Sequence, residues 1–371
     1  VNRPAGAGRA PLVAIGFAFA FVCAAVVAAA GLGLGVPHLR KEGVGVAGVL
    51  GVAALVAGLA LAAYSAWWLL ARLRRRWWPL AVPLLLVATY LAFWTVGQGF
   101  TAGLPPRPAL GDRTPADLGL AYEDVRLPTA DGVDLAGWWV PSENGGAVVL
   151  LHGAGSTRTA VLDEAGVLAD AGWGVLLLDA RGHGESEGSG MDFGWWGESD
   201  VAAALDFVAA QAGVSAERIG LLGLSMGGEE AIGAAGADDR VRAVVAEGAT
   251  NRVAADKEYL VDEHGARGSL QVAIDRLTYA VAGLLSDAPR PRPLRDSLVD
   301  AAERGVRFLL LTAGEVPEEG WAADRLERAA PSAVEVWTVE GADHVGGLDR
   351  APEKWAARVL GFLDEVLPTR R

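Results

Sequence analysis

Cysteine is nearly missing: Cys23 is the only one in 371 residues, and it sits inside an apolar run. Neither a disulfide framework nor a cysteine-ligated metal site can be assembled within one chain, and cysteine usage leaves the compartment open. Lysine occurs only as Lys41, Lys257 and Lys354, while arginine, alanine and glycine abound. That bias suggests a GC-rich bacterial genome, in which Val1 would be read from a GTG start. Acidic residues are nearly absent from the N-terminal region, where Glu42 is the only Asp or Glu before position 110. The remaining 44 acids face 23 Lys plus Arg, about −21 for that part, which argues against a nucleic-acid partner. The five histidines are scattered and no Walker or dinucleotide pattern follows a suitable strand, so neither a metal nor a nucleotide cofactor is expected.

Charge is missing altogether from Pro11 to Val36, a stretch longer than the roughly 20 residues a helix needs to cross a bilayer. Two more apolar runs follow, so three transmembrane helices are expected at about 11–36, 43–71 and 77–104. Trp67, Trp68, Trp77, Trp78 and Trp94 fall near their ends, where indole rings favour the interface. The first run is about twice the 7–15 apolar residues of a signal peptide, and two further spans follow it. Arg3 and Arg9 precede the first span, Arg40 and Lys41 follow it, and Arg72, Arg74, Arg75 and Arg76 follow the second. The positive-inside rule then places the four-Arg loop and the N-terminus in the cytoplasm, and everything after Leu104 outside the cell membrane. No charge lies inside the spans to support transport, so membrane anchoring is the expected role of residues 1–104.

The sequence LPPRPALGDRTP cannot continue a helix and is read as a linker at 105–115, leaving one domain at 116–371. Strand-like runs occur at 122–127, 133–140, 147–151, 175–178, 219–224, 241–246, 308–312 and 334–339. From the third onward they alternate with helical patterns at 160–171, 200–212 and 355–366, and they lack a period of two. The expected fold is α/β, with a mostly parallel eight-stranded sheet opened by an antiparallel hairpin. An insertion at about 248–300 carries Leu270, Ile274, Leu277, Val281 and Leu284 at helical spacing, which suits either a lid or an ordinary sheet-covering helix.

The strand IGLLGL runs into SMGG and then the helical EEAIGAAG, so Gly223–Gly227 (GLSMG) is a GxSxG pattern in strand-turn-helix context. Such a turn needs small flanking residues, and its helix N-terminus favours developing negative charge, which makes Ser225 the candidate nucleophile. In this respect the chain from about Tyr122 onward resembles the α/β-hydrolase family, most closely its serine-aminopeptidase-like and BEM46-like branch. The resemblance extends to HGAG at 152–155 and implies an oxyanion hole from the amides of Ala154 and Met226. DARGHGES at 179–186 is similar to a turn that is structural in the family, so His183 is read as a loop residue. VEGADHVGG places His344 in the family's position for the general base, ahead of His38, His152, His183 and His264 by chain order.

The acid departs from the family pattern. The loop after the seventh strand is TAGEVPEEG, where Pro317 occupies the expected aspartate spacing. Glu315 is the first choice, with Glu318 and Glu247 left open, since glutamate can orient histidine as aspartate does. The implied activity is hydrolysis of a small-molecule, lipid or peptide acyl substrate (ester, amide or thioester) through an acyl-enzyme. Acyl transfer by the same triad and a catalytically inactive binding or sensory domain are the alternatives.

Overall fold

The computed structural model describes residues 9–368; Val1 and Arg3 lie outside them. The chain divides into two compact units, one running to Pro106 with Ile274–Ser286 added, the other comprising Arg107–Ala273 and Asp287–Arg371.

The first unit holds α1 (Arg9–Lys41), α2 (Val46–Arg72) and a third helical run, Arg75–Gly103. That run is built from a 3₁₀ turn, α3 (Trp78–Ala92), a π-helical turn (Phe93–Gly97) and α4 (Gln98–Gly103). All three are long and apolar enough to cross a membrane. Between apolar helices in lipid there is no hydrophobic drive to associate, so close packing of small residues must supply the attraction. Gly35 and Gly51 do so for α1 and α2: a Cβ on Gly51 would lie 2.4 Å from the Gly35 Cα. Ala24, Ala25, Ala28 and Ala29 are buried on α1, whereas Leu59 and Leu61 on α2 and Leu84 and Leu86 on α3 are exposed.

The second unit is built on eight strands: β1 (Glu123–Pro128), β2 (Asp134–Val140), β3 (Ala147–Leu151), β4 (Gly174–Leu178), β5 (Ile219–Leu224), β6 (Ala243–Glu247), β7 (Arg307–Ala313) and β8 (Val334–Val339). Their order is β1-β2-β4-β3-β5-β6-β7-β8, with β2 antiparallel to both neighbours and all other pairings parallel. Helices α5 (Leu162–Asp170), α6 (Gly197–Ala209), α7 (Met226–Ala237), α8 (Tyr259–His264), α9 (Ala266–Leu285), α10 (Leu294–Glu303), α11 (Pro317–Ala329), α12 (Gly347–Arg350) and α13 (Pro352–Val366) complete the described secondary structure, apart from short 3₁₀ turns. The uniform apolarity of β3 follows from cover on both faces. Val148 and Leu150 pack with Leu162, Leu168, Val359 and Leu363, while Val149 and Leu151 pack with Val201, Leu205, Ile232 and Leu298.

The stretch read as a linker is fixed to the second unit from Arg107 onward. The Arg107 guanidinium donates to the carbonyls of Ser186 and Gly188, the Pro108 carbonyl accepts from the Gly184 amide at 3.1 Å, and a Thr114–Asp117 capping box opens a 3₁₀ turn at Pro115–Leu118. Proline content forbids helix there but says nothing about tertiary contacts. Within 248–300, α10 packs beside α7 and buries Leu294, Leu298 and Ala301 in the core, whereas Leu270, Leu277 and Leu284 on α9 are exposed.

Candidate active site

β5 passes into α7 through Ser225, whose φ of 54° lies in the left-handed region that strains a residue bearing Cβ. Backbone crowding demands this geometry. A Cβ on Gly223 would lie 2.1 Å from the Gly227 carbonyl oxygen, and one on Gly227 would lie 2.2 Å from the Leu151 carbonyl oxygen. Only glycine at both flanks lets strand and helix approach so closely, and the Ser225 amide then donates to the Glu247 carbonyl at 2.7 Å.

His344 is carried on the loop between β8 and α12. Its Nε2 stands 2.8 Å from Ser225 Oγ and its Nδ1 2.6 Å from Glu319 Oε1. A carboxylate only accepts, so Nδ1 carries the proton and Nε2 is left to accept from the serine hydroxyl. The hydrogen bond to Glu319 raises the His344 pKa above the ordinary histidine value, against the opposing effect of partial burial.

The carboxylate beside His344 is therefore Glu319, where the sequence reading favoured Glu315. Glu315 and Glu318 are exposed, and Glu315 engages only through its backbone, donating to the Ala342 carbonyl. Pro317 opens α11, and Glu319 in its first turn is 1% exposed, with Oε2 accepting from the Ala313 amide at 2.8 Å. Glu247 is buried but committed elsewhere: Oε1 accepts from the Gly347 amide at 2.7 Å and Oε2 from the Trp355 indole at 2.9 Å, which ties β6 to α12 and α13. A signal for Glu319 was present in the sequence. Glu319, Ala322, Ala323 and Leu326 form the i, i+3, i+4, i+7 stripe that α11 buries.

Among the described residues, neither the Ala154 nor the Met226 amide donates a hydrogen bond, and Met226 is the first residue of α7. Gly153, beside Ala154, is close enough that a Cβ there would sit 3.4 Å from the Ser225 Cβ. A cavity of about 300 Å³ opens at this point, lined by Ser225, His344, Ala154, Leu224, Val345 and Leu348 among others. Glu164 also borders it, and burial pushes its carboxyl up to about 7.

The remaining histidines have other duties. His152 is fully enclosed, its Nε2 accepts from the Ala180 amide at 3.0 Å, and burial pushes it down to about 3, so it links the HGAG turn to the DARGHGES turn as a neutral ring. His183 is buried with Nδ1 2.9 Å from the Arg181 carbonyl oxygen. His38 lies on α1, and His264 stands edge-on to Trp321.

Comparison with known proteins points to one fold. A family model described as serine aminopeptidase, S33, matches residues 142–279. Over 129 residues, a third of this chain, the sequence is 39% identical to thiohydrolase aneE of Aspergillus aculeatus, of which the match spans 40%. It is 25% identical over 208 residues to the uncharacterized protein YfhR of Escherichia coli O157:H7, covering 52% of this chain and 72% of that protein. Among solved structures, the Pyrococcus furiosus esterase Pf2001 superposes with a TM-score of 0.53 at 28% identity, over 71% of this chain and 99% of the esterase. With its eight-stranded, mostly parallel sheet and the GLSMG turn between β5 and α7, the chain has the α/β-hydrolase fold, and residues 142–279 within it match the serine aminopeptidase model.

Proposed function

We propose that this chain is a membrane-anchored serine hydrolase in which Ser225 is the nucleophile, His344 the general base and Glu319 the carboxylate that orients it. The observation that carries the reading is the continuous series of hydrogen bonds from Glu319 through His344 to a serine held at positive φ before a helix N-terminus. Ser225 Oγ attacks the carbonyl carbon of an ester, thioester or amide while His344 Nε2 takes its proton. The carbonyl electron pair moves onto oxygen, where the Ala154 and Met226 amides stabilise it by several kcal/mol. Collapse breaks the bond to the leaving group, which takes the proton back from His344, and water then repeats the sequence to release the acid. The thiohydrolase and esterase named among the similar proteins support an activated acyl carbon over an unactivated amide. An inactive binding domain was suggested by the irregular acid loop, and Glu319 beside His344 removes that support.

A fluorophosphonate probe tests this on the full-length protein. Wild type is expected to label and Ser225→Ala to remain unlabelled; a folded wild type that fails to react, or an alanine variant that still labels, overturns the reading.

The three spans serve as the anchor, and the arginines at 72 and 74–76 support a cytoplasmic loop with the hydrolase on the other side of the membrane. Reporter fusions after Arg75 and at the C-terminus are expected to report opposite compartments, cytoplasmic and extracytoplasmic respectively. An extracytoplasmic loop with a cytoplasmic C-terminus would reverse this orientation, and two cytoplasmic signals would mean that the third run does not cross the membrane.

A further inference from the structure

Helix α9 is unusual for a helix in water: beside Val272 and Ala282 it buries polar groups, and it exposes three of its leucines. Leu270, Leu277 and Leu284 recur every seven residues on its exposed side, with Ala273 and Ala280 between them, while Asp275, Thr278 and Tyr279 are buried. A helix surrounded by water hides its leucines and shows its aspartates. The reverse order belongs to helices in an apolar solvent, where polar groups turn inward to find partners.

Its C-terminal part also sits against one of the apolar helices. The Trp94 indole donates to Asp275 Oδ1 at 3.1 Å. Gly99 and Gly103, spaced by four, admit α9 closely: a Cβ on Gly99 would lie 2.6 Å from Val281 Cγ1, and one on Gly103 would lie 3.0 Å from the Ala282 carbonyl oxygen. This is the small-xxx-small packing of helices within a bilayer. Residues 274–286 accordingly group with the long apolar helices. The third run itself exposes Leu84, Val87 and Tyr90, so Leu277 and Leu284 add to an apolar surface that this unit already presents. Arg276, exposed beside Leu277, has a side chain long enough to carry its charge to the headgroups.

We propose that α9 is a fourth membrane-contacting element, whose Leu277, Ala280 and Leu284 face lies against lipid acyl chains at the C-terminal end of the third span. The inference rests on the anchoring read above, and the occupant of the face is bilayer lipid and not a second copy of the chain.

The test uses single cysteines in a Cys23→Ala background, each carrying an environment-sensitive fluorophore, in the full-length protein reconstituted into phosphatidylcholine vesicles. Leu277→Cys and Leu284→Cys are compared with Leu84→Cys on the third span and with Asp170→Cys, an exposed position at the end of α5. Nitroxide-labelled phosphatidylcholine is expected to quench most of the emission of the Leu277, Leu284 and Leu84 probes, whose spectra are blue-shifted, and to spare the Asp170 probe. Aqueous iodide should quench only the last. Iodide quenching of both α9 probes, with Leu84 still quenched by lipid, overturns the inference and leaves the anchor standing. Loss of lipid quenching at Leu84 as well means that the anchoring reading itself has failed. Emission at Leu277 and Leu284 that is insensitive to both quenchers and changes with the ratio of protein to lipid would assign the face to a second copy, and also overturns the inference.

Discussion

Glu319→Gln is expected to lower kcat by about 10³- to 10⁴-fold, while Glu315→Gln and Glu318→Gln leave turnover at the wild-type level. Glutamine keeps the shape and one acceptor oxygen, so the contact with the Ala313 amide can survive. What it loses is the certainty that Nδ1 is the protonated nitrogen. A side-chain amide turned toward His344 donates to Nδ1, the proton moves to Nε2, and Nε2 can no longer accept from Ser225. The pH profile provides a second readout. The base must be neutral, so activity is present above the His344 pKa and is lost as pH falls through it. The Glu319 hydrogen bond is the largest cause raising that pKa, and the substitution removes it together with the Glu319 charge, leaving partial burial opposed only by the smaller effects of Glu229 and Glu247. The residual activity of Glu319→Gln should therefore show its acid limb at lower pH than wild type. Steady-state hydrolysis of a chromogenic ester between pH 5 and 9 measures both effects, and a Glu319→Gln enzyme with unchanged kcat, or a Glu315→Gln enzyme with the large loss, would show that the acid has been misassigned.

Asp179→Ala is expected to destabilise the hydrolase domain by about 3–5 kcal/mol, because it removes the buried one of the two carboxylates paired with a buried guanidinium. Asp179 is fully buried. Its Oδ1 accepts from the Arg158 amide at 2.7 Å, and its Oδ2 takes the Arg158 guanidinium and the Glu185 amide. Arg158 is itself buried, stacked over the Trp138 ring with its guanidinium carbon 4.3 Å from the centroid. Alanine leaves Nη1 of that cation and two amides without an acceptor, with Nη2 still paired to the half-exposed Glu185 carboxylate at 2.6 Å, whereas Asp179→Asn keeps an oxygen in place and should cost less. For a domain of this size the alanine variant should melt roughly 6–20 °C lower in detergent, followed by tryptophan fluorescence. An alanine variant that melts with wild type would mean that DARGHGES does not hold the turn in this way. Since Arg158 follows the HGAG turn, the same variant should also weaken fluorophosphonate labelling before the domain unfolds.

Much of this molecule was legible from one-dimensional pattern. Each of the eight expected strand runs corresponds to an observed strand, with no edge shifted by more than two residues, and the central ones are legible because a strand covered on both faces has no choice but to be uniformly apolar. The long charge-free stretches likewise correspond to α1, α2 and the third run, each long and apolar enough to cross a membrane. GLSMG was readable because its demands are local: two glycines where backbones touch and one serine at the turn. Arg107 shows the opposite case. Its neighbours mark a break in helix, yet its partners are carbonyls almost eighty residues away, and nothing in LPPRPALGDRTP specifies them.

The acid and the apolar stripe divide along the same line. TAGEVPEEG offers three glutamates within five residues, chemically identical, and distance along the chain favours the one nearest the strand. Only the start of α11 at Pro317 turns Glu319 inward to His344 and leaves Glu315 and Glu318 in solvent. The leucines of α9 look in sequence like any helix face awaiting a core, and only tertiary packing shows that the buried side is the one with Asp275, Thr278 and Tyr279. Sequence thus sufficed wherever the constraint was local, in hydrophobic period, span length and the crowding of a turn. Which of several equivalent side chains meets a partner, and which side of an amphipathic helix counts as the inside, depend on contacts between elements far apart in the chain, and only the folded arrangement supplies them.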